Sequence, residues 1–301
     1  MKIAYLVFAY KNPKLIQRTM ERLACEDSAF FIHIDAKCDI SQFASLQGKN
    51  VFFTDRRVTV YWAEFSGVEA ILVLIRQALA ARERYDYLVL LSGSEYPLRS
   101  RQYIHNFFDA NRGSEFMTMA KMPAAGKPLS RVTLLRFPSN EPARRLIFRA
   151  LAKLGLAQRN YRKHLGGMKP YSGLTWWALT RNACQYIMDF DERERKVRRF
   201  FEKSFAPEES YFHTILGNSP FAPRIRQNLL YEDWSAQVAH PKMLGEQHLA
   251  RFGLQDKGSL PGRDEPGELL FARKFSDENL GLVREIDEMI ERNERMVASP
   301  C

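Results

Sequence analysis

Tyr85-Asp-Tyr-Leu-Val-Leu-Leu-Ser-Gly-Ser-Glu-Tyr-Pro-Leu-Arg-Ser100 is the stretch from which the rest of the chain can be read. Tyr87 to Leu91 is an unbroken apolar run bounded by polar residues, the signature of a strand buried on both faces at the centre of a parallel sheet. It ends abruptly in Ser92-Gly93-Ser94-Glu95. Gly93 lets the backbone turn tightly or approach a ligand. In open α/β sheets ligands bind beyond the carboxyl ends of the strands. Two readings of the turn follow: an ordinary strand-to-loop connection, or one wall of an active site.

Working outward, strand and helix alternate over the first 120 residues, which specifies a parallel α/β sheet. Ile3–Ala9 reads as the first strand. Asn12 and Pro13 then open a helix to about Leu23, as N-cap and first helical residue. Phe30–Asp35 is a second strand with Asp35 at its carboxyl end, and Val51–Phe53 a third. Ser66-Gly-Val-Glu69 predicts a capping box for a helix to about Arg84. A short helix near Gln102–Asn111 and a strand at Glu115–Ala120 complete this half. Further on, Tyr171–Thr180 reads as a turn into a strand, followed by a helix capped by Thr180. Gly253 to Gly267 reads as a mobile loop, and Ser276 as the cap of a last helix reaching about Met296.

With 301 residues, 46% hydrophobic and 12% aromatic, the chain can bury a sizeable core and is not a disordered protein. No apolar run reaches the length of a membrane span, and the N-terminal apolar segment is too short for a signal peptide. Cys25, Cys38, Cys184 and Cys301 are scattered, without the spacing of a zinc site or a disulfide framework, so a reducing cytoplasm is the expected setting. The net charge of +10 calls for an anionic partner: nucleic acid, a membrane surface or a phosphate-bearing small molecule. Between Arg144 and Lys169 there are eight Lys/Arg and no Asp or Glu, and Leu146, Ile147, Leu151 and Leu154 form an apolar helical face. That is either a solvated helix flank or a basic amphipathic helix suited to an anionic membrane.

Two further stretches carry chemistry. In Phe205-Ala-Pro-Glu-Glu-Ser210, Pro207 suits the first helical position, and Glu208 and Glu209 suit the first turn, where the helix dipole favours carboxylates. The same residues also suit a general base held on a rigid element. In Phe271-Ala-Arg-Lys-Phe275, two adjacent cations flanked by aromatics fit a bound diphosphate.

Ile32-His-Ile-Asp35, Val60-Tyr-Trp62, Leu91–Pro97, Tyr171-Ser-Gly173, Pro207-Glu-Glu209 and Phe271–Phe275 occur in this order. Together they resemble the core-2/I-branching β-1,6-N-acetylglucosaminyltransferases and the related peptide-O-xylosyltransferases of glycosyltransferase family 14, from about Lys2 to Ile286. The resemblance implies an α/β, GT-A-like fold, with a Rossmann-like, mostly parallel central sheet flanked by helices. The implied domain is single: residues 1–120 form the nucleotide-sugar half, 121–275 the acceptor and catalytic half, and 276–297 a C-terminal helix.

The resemblance further implies inverting transfer from a UDP-sugar to a glycan hydroxyl without a divalent metal. By motif position, Glu209 falls on the catalytic base. Ala9, Tyr10, Lys11, Asp35, Ala36, Lys37, Trp62, Ser94 and Glu95 fall on the nucleotide sugar, with Lys242, Arg273 and Lys274 as cations at the diphosphate. Ser172, Gly173, Trp176 and Asp233 fall on the acceptor. N-acetylglucosamine is the first expectation for the sugar, with xylose, glucose or galactose as alternatives. Without the membrane anchor and lumenal disulfides of animal members, the chain is expected to be a bacterial, cytoplasmic-face form. Its acceptor would then be a surface polysaccharide, a lipopolysaccharide or another lipid-linked glycan, and residues 144–169 would make peripheral contact with the membrane. The one literal Asp-x-Asp, Asp189-Phe190-Asp191, is expected at the surface, at a helix end rather than after a strand. A nucleic-acid-binding protein is the rival from a different class. No recognisable nucleic-acid module is present, and the aromatics are not interleaved with the basic run, so no nucleic-acid partner is expected. A transferase that binds its donor without catalysis is the third reading, and the intact Glu209, Arg273 and Lys274 speak against it.

Overall fold

The computed structural model describes residues 1–136, 142–236, 240–252 and 268–298. The glycine- and proline-rich stretch from Gly253 to Gly267 lies outside the described residues, as does Cys301; Cys25, Cys38 and Cys184 are free thiols.

The first half alternates as expected: β1 (Ile3–Ala9), α1 (Pro13–Leu23), β2 (Ser28–Ile34), β3 (Val51–Phe53), α2 (Phe65–Ala80) and β4 (Tyr87–Ser92). A short β5 (Glu95–Pro97), α3 (Arg101–Ala110) and β6 (Glu115–Lys121) follow. Then come α4 (Ser130–Thr133), α5 (Pro142–Lys153), α6 (Tyr161–His164), β7 (Tyr171–Thr180), α7 (Arg181–Arg193), α8 (Arg195–Phe201) and α9 (Tyr211–Gly217). The chain closes through β8 (Ile225–Arg226), β9 (Leu230–Glu232), β10 (Phe271–Arg273) and α10 (Leu280–Ala298).

Seven strands form the main sheet in the order β3-β2-β1-β4-β7-β6-β8, and β7 alone runs against the others. The sheet is therefore mostly parallel. Because β7 lies between β4 and β6, chain from both sides of residue 120 builds one sheet. The period of two along β1 decides what each face covers. Ala4 and Leu6 pack on the side of α2, α7 and α9, whereas Ile3, Tyr5 and Val7 pack on the side of α1 and α3. A second sheet, β5-β10-β9, sits beside the first and packs its Tyr96 and Ala272 with Leu282, Val283 and Ile286 of α10. The Ser92–Glu95 turn links the two sheets, as do residues 227–229 between β8 and β9.

Four local expectations are corrected. Ser66 does not cap α2; the helix begins two residues earlier, after Glu64, and Ser66 Oγ accepts the Tyr61 N–H at 2.9 Å. Glu69 instead pairs with Arg198 at 3.1 Å, because α8 brings a cation over that face. Pro207–Glu209 is a separate 3-10 turn preceding α9 rather than the first turn of the helix. The Asp189-Phe190-Asp191 pair splits: Asp189 is exposed, but Asp191 is buried on the inner face of α7. There it pairs with Arg198 at 2.8 Å and accepts the Tyr211 hydroxyl at 2.7 Å. Asn12 does precede α1 with Pro13 at its start, yet its side chain makes no cap. Asp277, from the turn before α10, accepts the Leu15 N–H at 2.8 Å instead.

Candidate active site

The carboxyl ends of β1, β2 and β4 form one rim. Gly93 has to be glycine there, since a Cβ would stand 2.7 Å from the Lys11 carbonyl oxygen. Asn12, in the left-handed region at φ 61°, turns its amide onto the Gly93 carbonyl at 2.7 Å and Ser94 Oγ at 3.3 Å. The strand-end loops are thus locked to each other before any ligand arrives.

Asp35 is buried, and its Oδ1 accepts the N–H groups of Lys37 at 3.0 Å and Val60 at 3.3 Å. The Ala36 N–H donates to the Val58 carbonyl at 3.0 Å, and Arg57 donates to the Ile34 and Asp35 carbonyls. Beneath them His33 Nε2 accepts the Val58 N–H at 2.9 Å, and burial pushes its pKa down to about 4, so the ring is neutral. Asp35 therefore stiffens the platform on which Tyr10 and Trp62 stand open, at 60% and 78% exposure. Lys37 lies over the Tyr61 ring at 4.7 Å, and Lys11 over Tyr10 at 5.4 Å. Two such open aromatic faces beside strand ends suit stacking on a planar base.

The adjacent cations of β10 and the following residue have different surroundings. Arg273 lies between two buried carboxylates, 2.9 Å from Glu95 and 3.3 Å from Glu232, with its guanidinium 4.6 Å over the Trp176 ring. Glu95 also accepts the Ser92 hydroxyl at 2.6 Å. Arg273 and Glu95 thus neutralise one another behind the rim, and Trp176, expected at the acceptor, packs on Arg273. Lys274 is half-buried; burial and the nearby charges of Arg273 and Lys11 push its pKa down. Its N–H reaches the Lys242 carbonyl at 3.4 Å, so Lys242 runs alongside, exposed. Asp233 joins that side through its carbonyl, which accepts the Lys242 N–H at 2.8 Å. The Asp233 carboxylate takes the Ser235 N–H at 2.8 Å and His248 at 3.1 Å, which hold its pKa well below the usual range.

Across the rim, Ser172, Gly173 and Glu209 do come together. Ser172 Oγ donates to the Glu209 carbonyl at 2.7 Å. Gly173 passes so close to β6 and α9 that a Cβ would lie 1.6 Å from the Thr118 carbonyl oxygen and 2.7 Å from the His213 ring. The Pro207–Glu209 turn follows Ala206 at φ 46°, whose N–H donates at 3.0 Å to the carbonyl of Ala63, itself at φ 57°. Non-glycine residues in that region are held by their surroundings, most often at functional sites. The clip ties the loop of Trp62 to the turn of Glu209, and Trp62 meets Phe205 edge-on at 5.8 Å.

Two residues that sequence reasoning did not select, Lys127 and Arg131, both donate to Glu209 Oε2, at 2.8 and 2.7 Å. Lys127 also donates to the Gly173 carbonyl at 2.7 Å. Local sequence does not mark them, because they reach the site from the turn after β6 and from the short α4 that follows it. Burial pushes the Glu209 carboxyl up, but Lys127 and Arg131 outweigh it and hold its pKa below the ordinary value. Glu208 behaves oppositely: burial raises it to about 8, and its Oε2 has no partner among the described residues. The neighbouring carboxyls are thus pushed in opposite directions, Glu209 down and Glu208 up.

The family profile described as "Core-2/I-Branching enzyme" matches residues 3–256. Xylosyltransferase 1 of Canis lupus familiaris is 24% identical over 247 residues, covering 79% of this chain and 25% of that protein. Xylosyltransferase sqv-6 of Caenorhabditis elegans is 23% identical over 288 residues, covering 88% of this chain and 33% of that protein. The chain thus spans about a quarter to a third of the length of these relatives. Among solved structures, apo mouse xyloside xylosyltransferase 1 aligns over 90% of this chain and 97% of its own, at 11% identity and a TM-score of 0.39. The family profile spans most of the strands, turns and side chains just described, and the chain belongs to the Core-2/I-Branching enzyme family.

Proposed function

We propose that the protein transfers a sugar from a UDP-sugar to a hydroxyl of a glycan, with inversion at the anomeric carbon. The observation that carries this reading is Glu209: an ionised, partly open carboxylate on a turn that is clipped to the loop of Trp62. In the reaction, Glu209 removes the acceptor hydroxyl proton as that oxygen attacks the anomeric carbon. The bond from that carbon to the diphosphate breaks, and its electron pair leaves with UDP. Lys274, with Lys11 and Lys242 beside it, meets the charge that develops there. Tyr10 and Trp62 take the base and sugar of the donor, on the platform that Asp35, Ala36 and Lys37 hold. Ser172 and Gly173 shape the acceptor side.

The reaction proceeds without a divalent ion. Glu95, the carboxylate just past the carboxyl end of the central strand, is already committed to Arg273 and Ser92. Transfer should therefore persist in excess EDTA; loss on chelation, restored by manganese, would overturn this assignment of the cations.

N-acetylglucosamine is the donor sugar proposed first. The names of the relatives favour xylose as the second reading. A thermal-shift screen against UDP, UDP-N-acetylglucosamine, UDP-xylose, UDP-glucose and UDP-galactose, followed by transfer assays, decides between them. No stabilisation by any of the five would sink the donor assignment altogether.

A further inference from the structure

The excursion from 142 to 169 departs from the body and returns to it with an unusual division of labour. Its root is stapled down. The Leu135 N–H donates to the Ala157 carbonyl at 2.9 Å, and the Arg159 N–H to Thr133 at 2.8 Å. The Arg159 side chain donates to the Phe200 carbonyl and to Ser204 Oγ, both at 2.8 Å, and lies 4.2 Å over the Phe200 ring. Arg159 is thus a structural pin, although it lies within the basic run.

Beyond the root the opposite holds. Leu146, Ile147, Leu154 and Leu156 are 69, 57, 70 and 66% exposed. At 100° per residue, Leu146, Ile147, Ala150 and Leu154 share one arc of α5 and its extension. Four large aliphatics open to water within eleven residues are costly unless something covers them. The surroundings say what: Lys153, Arg162, Lys163 and Lys169 are exposed on the same excursion, and no acidic residue occurs from 144 to 169.

We propose that this excursion is a docking surface for an anionic lipid membrane, with the α5 aliphatics inserted at the headgroup level and the basic residues on the phosphates. A polyanion without an apolar interior would satisfy the charges and leave the four aliphatics wet. An apolar protein groove would cover the aliphatics and leave the charges unpaired. An anionic bilayer surface satisfies both. Among the described residues no helix is long and apolar enough to cross a membrane, so the contact is peripheral. The root also continues into the segment that carries Lys127 and Arg131 to Glu209. If Glu209 is the base, as proposed above, docking here brings the acceptor side of the site to the membrane, where a glycan on a lipid carrier would be presented.

The test is flotation or sedimentation with phosphatidylcholine vesicles with and without about one-third phosphatidylglycerol, run without donor or acceptor. The expected result is binding to the anionic vesicles only, released by raised salt. Replacing Leu146, Ile147 and Leu154 by serine should reduce the partition coefficient at least about tenfold. Lys153→Glu should weaken it by about fivefold or more. Neither variant should change transfer to a soluble acceptor, which separates this inference from the assignment of the reaction. Circular dichroism and an unchanged melting temperature show that the serine variant is folded. Equal binding to both vesicle types, or to neither, overturns the proposal. So does a concentration-dependent dimer that the serine substitutions abolish, or retention on single-stranded RNA that does not depend on Leu146, Ile147 and Leu154.

Discussion

Two carboxylate–cation clusters stand on opposite sides of the rim, and they differ in one respect. Glu95, Glu232 and Arg273 are sealed: their side chains are 0, 4 and 13% exposed. Glu209 with Lys127 and Arg131 keeps a carboxylate that is 28% exposed. Both clusters place a carboxylate beside an arginine. In the sealed one, charge lost from either partner leaves the other buried and unpaired, so the pair behaves as structure. In the open one the carboxylate stays accessible to solvent, the flanking cations lower its pKa, and on the proposed reading this is where the acceptor hydroxyl is deprotonated. Access, more than charge or residue type, separates a pin from a reagent.

The largest expected effect breaks the open cluster. Glu209→Gln keeps the shape and removes the proton acceptor, so transfer should fall by roughly two to four orders of magnitude while UDP binding survives. If Glu208→Gln were the damaging change instead, the base would be the neighbouring residue. The sealed cluster should respond in stability rather than chemistry. Arg273→Met strands Glu95 and Glu232, at a cost of about 3–5 kcal/mol. For a chain of 301 residues that corresponds to a melting temperature lower by about 5–8 °C, read by thermal unfolding without ligand. An Arg273→Met protein of normal stability that has lost UDP binding would place Arg273 on the diphosphate after all.

Smaller effects sharpen the contrast. Lys274→Ala removes a charge-assisted contact to the donor and should weaken UDP-sugar use by about ten- to a hundredfold, with no rescue by magnesium or manganese. The pH dependence follows from the signs. Glu209 has a lowered folded pKa, so its contribution is present above the ordinary carboxylate range and is lost as pH falls through the folded value. Lys127→Met should raise that value and move the acid limb of kcat to higher pH; an unmoved limb would mean that the limb reports another group. Glu208 runs the other way. With a folded pKa near 8 against an ordinary 4.5, it binds more protons folded than unfolded across that interval, so it lowers stability as pH rises from about 4.5 to 8. Glu208→Gln should flatten that part of the stability profile in urea unfolding and change transfer little.

Much of the frame was legible from residues alone because local physics determines it. The apolar run Tyr87–Leu91 does lie inside the sheet, paired on one side with β1, and Thr180 does cap the helix that follows β7. The gathering of Ser172, Gly173 and Glu209 was legible only through the order of the motifs. Capping was misread at Ser66 because its hydroxyl has a competing partner in the Tyr61 N–H, which only the fold supplies. Asp191 was misread as surface because a helix end in a charged run carries no mark of the arginine and tyrosine that bury it.

By itself the sequence determined the alternation of elements, the central strand with its glycine turn, and the chemical types at the site: carboxylates at 208 and 209, cations at 273 and 274. These follow from periodicity, backbone stereochemistry and side-chain chemistry, which act over a few residues. Only the tertiary structure decided that Arg273 is held between Glu95 and Glu232, that one Glu208 oxygen is buried without a partner among the described residues, and that Lys127 and Arg131 lower the pKa of Glu209. Burial and ion pairing depend on groups 78 and 82 residues distant along the chain, and the desolvation that separates Glu208 from Glu209 exists only once they are packed.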